Sequence, residues 1–110
     1  MGTKRQCVGV VGAGSFGTTV ATLLAANTNV LLFSRKKELV DKVNLTHEHL
    51  GVVLNPAIRA TNSLEEICAE CSLIFPVVPS ESFRKTIQSM SPLLKPSHIL
   101  IHGTKGIDVT

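Results

Sequence analysis

Six residues near the N-terminus, Gly12-Ala13-Gly14-Ser15-Phe16-Gly17, have the types and spacing of a G-x-G-x-x-G phosphate cradle. Glycine at the first position permits a tight turn. At the second it lets the backbone approach a pyrophosphate, and at the third it lets helix and strand pack closely. The N–H groups that open the following helix, at the positive end of its dipole, then face the anion. The spacing alone is weak, and its context gives it meaning. Gln6 to Val11 is a nearly continuous apolar run, as in a strand covered on both faces, and Phe16, Val20, Leu23 and Leu24 recur at helical spacing from about Ser15 to Ala26. Strand, glycine turn and amphipathic helix in that order point to a dinucleotide site rather than an empty glycine-rich turn.

The second test lies at the end of the next strand, Val30 to Phe33, where an NAD site holds Asp or Glu against the ribose hydroxyls. This sequence has Ser34-Arg35-Lys36, with no acid before Glu38. A hydroxyl followed by two cations suits a 2′-phosphate, which the planar arginine fork grips through paired N–H groups. NADP(H) is therefore favoured over NAD(H), with Gly12, Gly14, Gly17, Arg35 and Lys36 as binding residues.

Positioning these groups needs a scaffold, and the 110 residues alternate β-rich runs with helical patterns as one does. A short charged helix from Lys36 to Val43 precedes a weakly patterned stretch through Pro56, and Ile58 to Thr61 reads as a third strand. Ser63-Leu64-Glu65-Glu66 is a capping box opening a helix to about Glu70. Leu73 to Val78 is the fourth strand, Pro79-Ser80 opens a helix carrying Phe83, Ile87 and Met90, and Ile99 to Ile101 is the fifth strand. The expected fold is α/β: a three-layer, Rossmann-like parallel sheet in the order 3-2-1-4-5, helices on both faces, with the ligand at the switch between strands one and four. Pro76, inside the fourth strand, predicts a bulge or a weakened sheet because it lacks a ladder donor.

Composition narrows the function classes. No charged residue falls between Arg5 and Arg35, but glycines, threonines and asparagines break the apolar runs, so neither a membrane span nor a secretory signal is expected. The formal charge of +3 is scattered, and Tyr and Trp are absent, which disfavours a nucleic-acid partner. Three cysteines without a disulfide framework suit a reducing, cytoplasmic setting. Cys68-Ala69-Glu70-Cys71 lies near His47-Glu48-His49 in sequence, yet with no second C-x-x-C the cysteines read as core residues and no metal is expected. His98 and His102 bracket the fifth strand, and His102 reads as a structural histidine beside the site.

The chain also resembles the N-terminal portion of the soluble NAD(P)-dependent glycerol-3-phosphate dehydrogenases. The matching segments are Val11 to Thr18, Leu32-Phe33-Ser34-Arg35, Val43-Asn44 with His47-Glu48, Val78-Pro79-Ser80, and Thr104-Lys105-Gly106-Ile107-Asp108, in family order. The resemblance implies that Ser15 and Phe16 contact the cofactor, that Arg35 and Lys36 lie at its adenosine phosphate end, and that Pro79 lies over the dinucleotide. It implies that Lys105 touches both cofactor and glycerol phosphate. It further implies interconversion of sn-glycerol 3-phosphate and dihydroxyacetone phosphate for phospholipid synthesis. Residues 1–110 then form a truncated dinucleotide-binding domain without the helical substrate domain and its general acid/base lysine, so this stretch is expected to bind cofactor without turnover and to carry no catalytic residue. Such an uncovered surface would favour a homo-oligomer. Leu50 to Asn55 departs from the family by lacking its aromatic-Leu-Pro-Gly-like segment. The alternatives are a free-standing or truncated nucleotide-binding module, or another NADP-dependent reductase such as a ketopantoate reductase.

Overall fold

The structure, a computed structural model, describes residues 7–78 and 80–101. In chain order it contains β1 (Cys7–Val11), α1 (Ser15–Ala25), β2 (Asn29–Phe33), α2 (Lys37–Thr46), β3 (Glu48–His49), β4 (Val52–Val53), β5 (Ile58–Thr61), α3 (Leu64–Glu70), β6 (Leu73–Pro76), α4 (Ser80–Met90), a 3-10 turn (Ser91–Leu93) and β7 (Ile99–Leu100). Five strands form a parallel sheet in the order β5-β2-β1-β6-β7, the topology expected from the sequence. The order reverses at β1, so the crevice between β1 and β6 opens at the carboxyl edge of the sheet.

Both faces of the sheet are covered, which explains the unbroken apolar runs in β1 and β2. On one face Val10, Val30, Leu32, Ile58 and Ala60 pack against Ala21 and Ala25 of α1 and Val40 and Val43 of α2. On the other, Val11, Leu31, Phe33 and Ile74 meet Ile67 and Cys68 of α3, Cys71, and Met90 of α4. Leu31, Leu32, Ile58, Ile67 and Ile74 are wholly buried, each contributing about 2 kcal/mol of burial free energy.

Helix α1 turns a different face to the sheet from the one its large residues suggest. Its buried residues are Gly17, Thr18, Ala21 and Ala25, whereas Phe16 is 55 % and Leu23 69 % exposed. The helix lies too close to β1 for bulky side chains beneath it, so Val20 and Leu24 flank the contact. The weakly patterned stretch is also more ordered than expected. Helix α2 runs on to Thr46, His47 closes it in the left-handed conformation (φ 57°), and β3 and β4 form an antiparallel hairpin. Leu50 (φ 55°) and Gly51 (φ 75°) make its two-residue turn, both in the left-handed region that such turns require.

Pro76 needs a correction: no bulge forms. Pairing with β1 is continuous from Val8↔Leu73 to Val11↔Pro76, and the fourth strand ends at Pro76 rather than Val78. The Val77 N–H reaches Val11 O at 2.8 Å, while the carbonyls of Ser72 and Ile74 accept from β7. Alternation therefore points the Pro76 nitrogen away from β1 and toward β7, whose pairing stops after two residue pairs. Among the described residues, the missing donor lies just past the last β6–β7 pair, Ile74↔Leu100.

The capping box is half formed. Ser63 Oγ accepts from the Glu66 N–H at 3.1 Å, as expected. The Glu66 carboxylate turns instead to the Thr61 hydroxyl at 2.5 Å and to Arg59 at 3.2 Å, and Thr61 Oγ1 accepts from the Ser63 N–H. The Thr61 hydrogen bond, followed by Arg59, holds the Glu66 carboxyl below its ordinary value of 4.5 against the opposing effect of burial. A lowered folded pKa adds stability that is complete above 4.5 and disappears as pH falls through the folded value. On acidification the parent chain should therefore lose more of its stability than Glu66→Gln, as urea midpoints measured across that range will show.

At the sheet edge, Asn44 takes the place of a neighbouring strand for β5. Its amide donates to Ala60 O at 3.0 Å and its side-chain oxygen accepts from Ala60 N–H at 2.8 Å. Asn44→Ala strands two backbone groups of a buried residue and should lower unfolding free energy by about 2 kcal/mol in urea denaturation.

Candidate functional site

The three glycines of the loop after β1 answer to three different constraints. Gly12 has φ 124°, and a Cβ there would overlap Val77 O, so this turn excludes every other residue type. Its N–H donates to Phe33 O at 3.1 Å, fastening the loop to the end of β2. A Cβ on Gly17 would overlap Gly12 O, which is the close helix-to-strand approach that leaves α1 room only for small residues. Around Gly14 the reverse holds: nothing lies within 4 Å of where its Cβ would stand. Gly14 is also the N-cap of α1 in extended conformation, with no side-chain cap and no acid in the first turn. The positive end of the helix thus faces open space beside a position that exposes bare backbone.

His49 supports this loop from beneath. Its ring Nε2 lies 2.7 Å from Ala13 O, and because a carbonyl only accepts, Nε2 carries the proton. The ring is buried, and Thr18 Oγ1 donates to the same carbonyl at 3.4 Å. The β3–β4 hairpin is therefore hydrogen-bonded directly to the glycine loop.

A groove of about 280 Å³ runs from this loop across the carboxyl edge of the sheet. Gly12, Phe33 and Arg35 line one side; Val78, Ser82 and Lys85 line the other. Arg35 and Lys85 bring two cations to it, opposed by Glu81. Ser34 is buried at the end of β2, its Oγ accepting from the Lys36 N–H at 3.1 Å, so the turn after β2 is set by its own hydroxyl.

These features meet where an open parallel sheet binds ligands, and the comparisons with known proteins agree. A profile of the N-terminus of NAD-dependent glycerol-3-phosphate dehydrogenase matches residues 7–110. The chain belongs to this family.

A protein of Geobacter sulfurreducens named glycerol-3-phosphate dehydrogenase (NAD(P)+) is 38 % identical over 107 residues, covering 93 % of this chain and 32 % of its own length. The Geobacter metallireducens protein of the same name is 39 % identical over 114 residues, covering 99 % of this chain and 33 % of its own. The chain thus spans about a third of the length of these relatives. The crystal structure of glycerol-3-phosphate dehydrogenase from Coxiella burnetii superposes with a TM-score of 0.83 at 28 % identity, over 94 % of this chain and 33 % of that one.

Of the residues expected to bind cofactor, Gly12 and Arg35 both line the groove, whereas Gly14, at the N-cap of α1, and Ser15, Phe16 and Gly17, in its first turn, are not among the lining residues. Lys36 is exposed as the N-cap residue of α2 and is not among the groove's lining residues. Pro79, Lys105 and His102 lie outside the described residues. Sequence reasoning missed the polar face of α4, although Ser82, Lys85, Thr86 and Ser89 recur at helical spacing and all line the groove. It also missed His49, which carries no local signal because its partner lies 36 residues away.

Cys68 and Cys71 pack in the α3 core layer, while His49 binds the glycine loop. Among the described residues no three His, Cys, Asp or Glu side chains are grouped to hold a metal ion. His98 is fully engaged, accepting at Nδ1 from the Lys95 N–H and donating from Nε2 to Cys68 O, each at 2.7 Å. Among the described residues no helix is long and apolar enough to cross a membrane.

The contrast between the glycines is measurable. Gly17→Ala should cost more than ~3 kcal/mol of stability, because its Cβ meets backbone that cannot yield. Gly14→Ala should cost less than about 1 kcal/mol in the same urea unfolding assay.

Proposed function

We propose that this chain binds a nicotinamide dinucleotide, NADP(H) in preference to NAD(H), as the cofactor-holding part of a glycerol-3-phosphate dehydrogenase. One observation carries the reading: of the three loop glycines, only Gly14 faces open space, and it does so at the uncapped, positive end of α1. A pyrophosphate fits there because the backbone at Gly14, Ser15 and Phe16 offers N–H groups with no side chain or acid in the way. Gly12 and Gly17 are spent on the fold and hold that surface in place.

The choice between the two cofactors rests on the β2 end. Arg35 borders the groove at the position where an NAD site holds an acid, and Lys36 follows it in solvent. A 2′-phosphate at this end gains a guanidinium partner, whereas a plain ribose finds no carboxylate acceptor. By family correspondence Pro79 covers the dinucleotide and Lys105 holds its far end together with the phosphate or hydroxyl of a small phosphorylated substrate. When bound, the nicotinamide supplies or accepts the hydride that interconverts dihydroxyacetone phosphate and sn-glycerol 3-phosphate, a step of phospholipid synthesis. The proton-transfer lysine is assigned to the part of the enzyme outside these 110 residues, so they act as the dinucleotide-binding domain and bind without turnover. Three cysteines assign the protein to the reducing cytoplasm.

Fluorescence titration of the 110-residue chain should show tighter binding of NADPH than of NADH. Arg35→Ala should weaken NADPH by about tenfold and leave NADH nearly unchanged. Equal affinities in the parent chain would remove the cofactor preference. Oxidation of NADPH by dihydroxyacetone phosphate with this chain alone would overturn the assignment of the proton-transfer group.

A further inference from the structure

At the amino edge of the sheet, opposite the glycine loop, the Sγ atoms of Cys7 and Cys71 lie 3.6 Å apart. Cys7 begins β1, and Cys71 is the C-cap residue of α3. Gly9 lies against the same place: a Cβ built on it would be in ordinary contact with Cβ and Sγ of Cys71, each at 3.4 Å, and tight against Ile67 Cγ2 at 3.0 Å.

The two thiols are not equivalent. Cys71 is buried, and its S–H donates to Cys7 Sγ. Cys7 is half-buried and lines a pocket of about 370 Å³ with Asn29, Arg59 and Glu70, open at the end of the sheet remote from the dinucleotide groove. Cys68, the other cysteine of the C-x-x-C, packs in the core, and burial pushes its thiol up. The pair placed for chemistry is thus joined across the fold, not within the sequence motif.

We propose that Cys7 is a peroxide-reactive thiol and that Cys71 resolves its oxidised form into a Cys7–Cys71 disulfide. In the first step the Cys7 thiolate attacks a peroxide oxygen. An S–O bond forms, the O–O bond breaks, and the departing hydroxide takes a proton to leave as water. Sulfur is oxidised to the sulfenic acid and the peroxide is reduced. In the second step Cys71 sulfur attacks Cys7 sulfur. The S–S bond forms, the S–O bond breaks, and the hydroxide released takes the Cys71 proton, giving a second water. Closing the pair from 3.6 Å to the bonded distance of about 2.05 Å requires a shift smaller than the width of one atom.

The surroundings favour that division of labour. The hydrogen bond from Cys71 holds the Cys7 thiol below its usual range, and Arg59 adds to this against burial, Glu70 and Glu66. The same hydrogen bond, with burial, pushes Cys71 up and keeps it protonated until Cys7 has been oxidised.

The test is exposure of the native 110-residue chain to hydrogen peroxide, followed by denaturation, alkylation with iodoacetamide and peptide mapping. Cleavage after Glu70 separates Cys68 from Cys71. The expected product carries alkylation at Cys68 alone, links the Cys7 and Cys71 peptides, and regains all three thiols on treatment with dithiothreitol. In Cys71→Ser, dimedone should trap the sulfenic acid on Cys7. Three alkylated thiols after peroxide, a Cys68–Cys71 or Cys7–Cys68 bond, a cross-linked dimer, or Cys7 carried on to the sulfinic acid in the parent chain would each overturn the proposal.

Discussion

The contact between Gly17 and the carbonyl of Gly12 governs this structure. Helix α1 rests directly on the turn that precedes it, with no side chain between. That approach forces small residues onto the rest of the buried face, Thr18, Ala21 and Ala25, and sends Phe16 and Leu23 out to solvent. It also fixes the direction of the helix axis, so that the uncapped first turn points past Gly14 into open space. The binding surface is therefore a by-product of packing: the geometry that lets α1 dock is what leaves backbone exposed at its tip.

The loop is held from three directions. β2 accepts the Gly12 N–H through Phe33, Val77 just after β6 crowds Gly12 through its carbonyl, and the hairpin reaches up through His49 to Ala13. These three fasteners come from segments far apart in the chain, so the loop's shape is a property of the assembled sheet. The left-handed turn at Leu50-Gly51 matters here because it folds residues 48–53 into the hairpin that carries the histidine.

The parts legible in the sequence were those with a local or periodic signature. The strand order, the glycine turn, the α3 N-cap at Ser63 and the position of Arg35 at the groove all follow from patterns spanning a few residues. What sequence reading missed shares one cause: the deciding partner is remote. The large residues of α1 have helical spacing, but the steric demand of β1 selects the small ones. Glu66 leaves its capping partner because Thr61 and Arg59, on the neighbouring strand, are better ones. Pro76 turns its nitrogen toward β7, more than 20 residues later, and among the described residues it lies beyond the last β6–β7 pair. The contact between Cys7 and Cys71 spans 64 residues, and no motif marks it.

Asn44 has a consequence for the protein in crowded solution. β5 borders the sheet, and a bordering strand normally presents free N–H and C=O groups on which another chain can grow. Here the outward Ala60 groups are both taken by the Asn44 amide, and the Ile58 N–H donates to Asn55 O. Three of the outward groups of β5 are thereby removed as partners for a second copy. One asparagine side chain thus makes this border of the sheet a poorer place for another chain to add.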